Sequence, residues 1–97
     1  MKSLSAALLV LLAPGAFAAD VMKGGQIYRM HCASCHGTSG VSTMPNAPNF
    51  ARGERMTQPD QMLLGSIRRG RGAMPGFFGV LSDRDTLDVI AYMRSMR

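Results

Sequence analysis

Cys32-Ala33-Ser34-Cys35-His36 is the stretch on which the reading of this chain turns. Two thiols at this spacing add across the two vinyl groups of a haem, and the histidine that follows is carried beneath the porphyrin, where a ring nitrogen reaches the iron. These are the only two cysteines of the chain. A bare Cys-x-x-Cys also serves thiol redox sites, structural zinc and disulfides. A zinc site needs a second ligand pair, yet the only other histidine is His31, immediately before Cys32, and the longer βαβ pattern of a thioredoxin-like site is missing. The expectation is covalent attachment of one haem through Cys32 and Cys35, with His36 as an iron ligand. Thioethers at both sulfurs leave none for a disulfide.

Upstream of the motif, Met1-Lys2-Ser3 carries one positive charge, Leu4 to Ala13 is an apolar run, and Ala16-Phe17-Ala18 is a small-x-small cleavage site. The run is about ten residues, short of the ~20 that span a bilayer, so no stable membrane span is expected. Without a twin-arginine pair, a general secretory route fits. Residues 1–18 read as a signal peptide and residues 19–97 as one domain in the periplasm, where the haem would be attached. Removing 18 of 97 residues leaves 79, a marginal length for a self-sufficient apolar core. A tethered haem supplies the apolar body that side chains alone cannot.

Loss of Lys2 leaves ten basic residues against six acidic ones, about +4 before the haem propionates are counted. Arg52, Arg55, Arg68, Arg69 and Arg71 fall in the middle of the chain. A secreted chain with no nucleic-acid motif makes nucleic acid a poor partner. An acidic protein face or an anionic surface is the better match, although a merely solvated face would look the same in sequence.

Along the chain, Asp20 is a reasonable N-cap for a first helix that brings Gly24, Ile27, Tyr28 and His31 to helical spacing up to the haem motif. Adjacent Gly24 and Gly25 each cost such a helix roughly 1 kcal/mol relative to alanine, which points to close approach of another backbone. Residues 37–57 read as a long surface loop whose size is explained if it wraps the edge of a cofactor. A second helix starts near Thr57, with Pro59 in its first turn and Gly70 at its end. Arg71 to Gly79 is a loop. Ser82 and Asp85 approximate a capping box for a third helix, running to the chain end, with Leu87, Val89, Ile90, Tyr92, Met93 and Met96 on its apolar face. The fold expected is all-α, three main helices and long loops around one haem.

A closed haem iron needs a second axial ligand, and Met or His is usual. His31 adjoins the tether and cannot reach the far face of the ring, so it reads as a surface or packing residue. Most of the methionines read as core fillers. Met74 differs, because it stands in a loop between helices, next to Pro75 and flanked by glycines. Met44, also in a loop before a proline, is its rival.

With these residues in place, the chain resembles the class I cytochromes c over nearly the whole mature sequence. In that family a glycine eight residues and an aromatic four residues before the first haem cysteine cross the last helix, and Gly24 and Tyr28 hold those positions. The family's last helix carries an apolar-x-x-Tyr element, matched by Val89 and Tyr92. Gly70 to Phe77, with Met74 at its centre, is similar to the axial methionine loop of short bacterial members. Pro48, before Asn49-Phe50, resembles the proline whose carbonyl accepts a hydrogen bond from the ligating histidine, with Pro45 as a competitor. The tryptophan that some members place near a haem propionate is missing here.

The resemblance implies a periplasmic carrier of single electrons between redox proteins, an upstream donor and a reductase or oxidase, with no catalysis of its own. The exposed haem edge near Cys32, Cys35 and the Met74 loop would be the docking surface, rimmed by arginines and by Phe77 or Phe78, with Arg68, Arg69 and Arg71 steering an acidic partner. The short length, the arginines and the Met-Pro-Gly-Phe loop resemble the c55X type of denitrification systems, which implies donation to a cytochrome cd1 nitrite reductase. Two rivals stand beside it: a haem sensor or enzyme with an open iron that binds small gases, and an assembly or haem-maturation factor for a reductase.

Overall fold

A computed structural model describes residues 18–96 together with Ser5 and Ala7. The expected signal peptide, residues 1–18, lies outside the described residues except for Ser5, Ala7 and Ala18. The elements are α1 (Val21–His31), α2 (Ala33–His36), a 3-10 turn (Phe50–Arg52), α3 (Asp60–Arg69) and α4 (Asp83–Arg94). Among the described residues there is no strand, only an isolated antiparallel bridge between Arg71 and Met74. No described helix is long and apolar enough to cross a membrane.

Local chemistry sets the helix ends. The Asp20 side chain accepts the Lys23 N–H at 3.0 Å, satisfying one of the orphan donors of α1. Ser82 Oγ does the same for Asp85 N at 3.0 Å on α4. The start of α3 falls three residues later than Thr57, because Pro59 disfavours helical backbone at Gln58 and itself becomes the N-cap, at φ −67° and ψ 157°. Likewise α4 stops at Arg94 rather than at the chain end, with Ser95 as its C-cap.

The crossing of α1 and α4 organises the domain. A Cβ on Gly24 would stand 2.0 Å from the Asp88 carbonyl oxygen, and one on Gly25 would stand 2.9 Å from Tyr92 Cε2. Gly24 therefore lets one helix backbone rest on the other, and Gly25 makes room for the Tyr92 ring. Tyr28 fills the angle of the crossing, its ring 5.3 Å from that of Tyr92 and 6.4 Å from that of Phe50. Its hydroxyl donates to the Gly37 carbonyl at 2.6 Å, tying α1 to the chain just past the Cys-x-x-Cys-His motif. Burial pushes this phenol up to about 12.

Leu63, Leu64 and Ile67 of α3 join Val89, Ile90 and Met93 of α4, with Phe50 and Met56 from the long loop, in one core. Arg94 pins that loop from outside the core. Its guanidinium donates to the Met56 and Gln58 carbonyls and pairs with Asp60 at 2.7 Å. The loop expected over residues 37–57 is thus an ordered strap, with the 3-10 turn at its centre and Asn49 Oδ1 accepting from both the backbone and the hydroxyl of Ser42.

Candidate haem site

Between the strap, α3 and the loop that follows it lies a cavity of about 390 Å³, lined by Cys35, His36, Met44, Pro45, Pro48, Phe50, Leu63, Ile67, Met74 and Met93 among others. It brings together four of the five residues singled out from sequence, namely Cys35, His36, Pro48 and Met74. Cys32, the fifth, is the C-cap of α1 and packs against the core one helical turn away. Both cysteines are free thiols. Burial, and then the neighbouring Cys35, push the Cys32 thiol up to about 11.

His36 is held on two sides. Its ring stacks on Phe50, with centroids 4.5 Å apart and planes at 22°. Its Nδ1 lies 3.2 Å from the Pro48 carbonyl oxygen. A carbonyl only accepts, so Nδ1 carries the proton and Nε2 keeps a lone pair. Nε2 has no hydrogen-bond partner among the described residues, and the ring lines the cavity. His31, by contrast, packs edge-on against Phe77 at 5.7 Å.

The Met74 loop is closed at both ends. Arg71 and Met74 exchange backbone hydrogen bonds of 3.0 Å, and the chain then returns along the end of α3, where Phe77 N and Phe78 N donate to the Ile67 and Arg68 carbonyls at 2.9 and 3.1 Å. The return consumes helix carbonyls that would otherwise be orphaned. It is possible because Gly70 and Gly76 meet face to face: a Cβ on Gly70 would fall 2.5 Å from Gly76 N, and Gly70 itself has φ +80°. Met74 is thereby held half-buried against the core.

Three methionines, Met44, Met74 and Met93, line the cavity. Met93 was read from sequence only as part of the apolar helix face, and the stacking of Phe50 on His36 was not read at all, because each depends on where separate elements meet. Phe77 and Phe78 do not line the cavity. Phe77 packs inward, whereas Phe78 is exposed, with the Arg68 guanidinium 5.2 Å from its ring centroid. Arg68 also pairs with Asp83 at 3.0 Å, so of the three arginines expected to steer a partner it is the one already engaged. Arg55 and Arg71 are exposed and line the cavity.

Among the described residues no group of three or more His, Cys, Asp or Glu side chains could hold a metal ion. An iron placed here would need its remaining donors from a macrocycle, and the site suits one. It offers apolar walls, the Cys35 thiol with that of Cys32 one helical turn away, an imidazole with an unused lone pair, thioethers, and Arg55, Gln58 and Arg71 as polar groups for ring carboxylates.

Residues 19–93 match the family profile described as cytochrome c oxidase, cbb3-type, subunit III. The chain is 34% identical to cytochrome c6 of Thermosynechococcus vestitus over 95 residues, covering 94% of this chain and 83% of the relative. It is 37% identical to cytochrome c6 of Synechocystis over 83 residues, covering 80% and 67%. In fold it is similar to the c-type cytochrome KustC0563, with a TM-score of 0.68 at 24% identity over 76% of this chain and 96% of that one. It is also similar to cytochrome c6 from the diatom Phaeodactylum tricornutum, with a TM-score of 0.63 at 28% identity over 79% and 93%. With its all-α fold and its Cys-x-x-Cys-His site, the chain belongs to the class I cytochromes c, monohaem electron-transfer proteins with one covalently bound haem c.

Proposed function

We propose that this protein is exported, loses residues 1–18, and works in the periplasm as a carrier of single electrons, with Cys32 and Cys35 as the thioether tethers and His36 and Met74 as the two axial ligands. Bound there, haem supplies a reversible ferric/ferrous couple that accepts or gives up one electron. The observation that carries the reading is the orientation of His36: the Pro48 carbonyl holds the proton on Nδ1, Phe50 holds the ring plane, and the basic Nε2 is left for the iron.

Met74 is favoured over its two rivals by how it is held. Met93 is 4% exposed and belongs to the packed face of α4, and Met44 is 40% exposed on the strap. Met44 is also held by backbone hydrogen bonds, to Cys35 and Ala47, but Met74 is half-buried in a loop closed by a double exchange with Arg71 and by the chain's return onto the end of α3. A thioether ligand favours the reduced iron and raises the potential relative to two histidines. Held by both His36 and Met74, an iron would have no position left for a small molecule, and a carrier would fit the site better than a gas sensor or an enzyme.

Arg55, Arg69 and Arg71 are exposed near the cavity and the Met74 loop, and they suit an acidic docking face on a redox partner. The resemblance to the c55X type makes a cytochrome cd1 nitrite reductase the acceptor to test first. The reduced protein should be reoxidised by that enzyme in the presence of nitrite, at a rate that falls steeply between low salt and 0.1 M, where the screening length is ~10 Å. Rapid reoxidation by a haem-copper oxidase and none by the nitrite reductase would move the carrier to respiration. Normal redox cycling with no acceptor served would favour the assembly role.

A further inference from the structure

One buried carboxylate has no part in the haem site. Asp88, on α4, is 2% exposed. Its Oδ1 accepts the Asp20 N–H at 2.8 Å, whereas Oδ2 is buried with no hydrogen-bond partner among the described residues. A carboxylate oxygen left in that state is costly, and a cation is the partner that relieves it best. The Lys23 ammonium feels the Asp88 charge but is bonded elsewhere, its Nζ 2.9 Å from Asp85 Oδ1.

Asp20 follows directly on Ala19, the first residue of the chain that the cleavage proposed above would leave, and one residue spans about 3.8 Å along the backbone. Signal peptidase would hydrolyse the Ala18–Ala19 bond. Water supplies the hydroxyl that completes the Ala18 carboxyl group, and the released Ala19 nitrogen gains protons to become an α-ammonium, charged at neutral pH because its ordinary pKa is about 7.7–8.0. We propose that this new α-ammonium of Ala19 binds the free Oδ2 of Asp88, so that leader removal creates the ion pair that docks the N-terminus of the mature chain on α4. The proposal rests on the cleavage reading. In the uncleaved chain the same nitrogen is a neutral amide and cannot form the pair. Its location gives the pair a purpose, because Asp88 is also the residue whose carbonyl Gly24 rests against. One residue of α4 thus receives the crossing helix, the N-cap amide and the terminus.

The test uses holoprotein isolated from the periplasm in a Lys23→Arg background. That change keeps a cation opposite Asp85 and, with Lys2 removed, leaves the α-amine as the only amine of the chain. Intact mass is read first. A retained leader, or a start other than Ala19, overturns the cleavage reading and the proposal with it. With the Ala19 start established, acetylation by an N-hydroxysuccinimide ester at neutral pH should be about tenfold slower than in the Lys23→Arg/Asp88→Asn protein, the factor equivalent to one pKa unit. Equal rates would overturn the ion pair and leave the cleavage reading standing. Should Asp88→Asn fail to fold, one alanine inserted after Ala18 moves the charge a residue away with Asp88 intact. The same tenfold acceleration is then expected, and unchanged slow acetylation would overturn the proposal.

Discussion

The two sides of this small domain are held together differently. On one side, α1 and α4 cross with glycine on backbone, Tyr28 in the angle and Val89 and Ile90 beneath, all three side chains buried. On the other, the strap and the Met74 loop are ordered by hydrogen bonds, from Arg94 of α4 to two strap carbonyls, from Ser42 to Asn49, and across Arg71 and Met74, yet they enclose a cavity. The first side packs as a protein core does, whereas the second is a frame built around a body that side chains do not supply. At the 79 residues that the proposed cleavage would leave, a core of side chains supplies only about 3–5 kcal/mol, which favours a frame filled by a haem over one held open by the core.

The largest effect should follow from removing the tethers. Cys32→Ala/Cys35→Ala protein, made without attached haem, is expected to lose its cooperative thermal transition and much of its helical circular dichroism. A sharp two-state transition in that variant would mean that the cavity side stands by itself. Next comes the crossing. Gly24→Ala should cost about 3 kcal/mol or more in holoprotein denaturation, because its Cβ meets a carbonyl oxygen fixed in another helix. Gly25→Ala should stay within about 1 kcal/mol of wild type, since its Cβ meets the edge of a tyrosine ring that can move, and alanine recovers helix propensity. Equal costs at the two positions would remove the distinction between backbone and side-chain contact on which the description of the crossing depends.

On the cavity side, Arg94→Ala should cost about 2 kcal/mol, because the Met56 and Gln58 carbonyls lose a charged donor. It should also loosen the strap, which hydrogen exchange over residues 50–58 would report. The smallest effect concerns pH. The hydrogen bond from Lys23 holds the Asp85 carboxyl below its ordinary value of 3.8. A depressed carboxyl contributes stability above that value and loses it as pH falls through the folded-state value. Denaturation at pH 7 should therefore find Asp85→Asn slightly less stable than wild type, with the difference vanishing in strong acid and shrinking in high salt.

Most of the crossing side was legible in the sequence, because its determinants are local. Asp20 and Ser82 cap from the expected positions, and the Gly24-Gly25 pair signalled the close approach that the structure shows at Asp88 and Tyr92. The cavity side was legible only where a motif or the family resemblance carried it, at Cys32, Cys35, His36, Pro48 and the Met74 loop. Arg94 reaching back to the strap, Phe50 lying on His36, and Met93 turning from core filler to cavity wall join residues 14 to 57 positions apart or depend on which way a helix faces. No period or cap encodes them. The burial of Asp88 is the same kind of fact, since a lone aspartate on a helix reads in sequence as a solvated residue.

Whether His36 and Met74 close the iron is read from the visible spectra of the holoprotein, with wild type compared to Met74→Ala, Met44→Ala and Met93→Ala. Ferric wild type should show the weak far-red band of a methionine-ligated haem, and the reduced protein should resist carbon monoxide. Met74→Ala alone should lose the band and bind carbon monoxide readily, while the other two keep it. A wild-type protein that lacks the band and takes up carbon monoxide at once would contradict the account, as would a band that survives in Met74→Ala and disappears in either of the others.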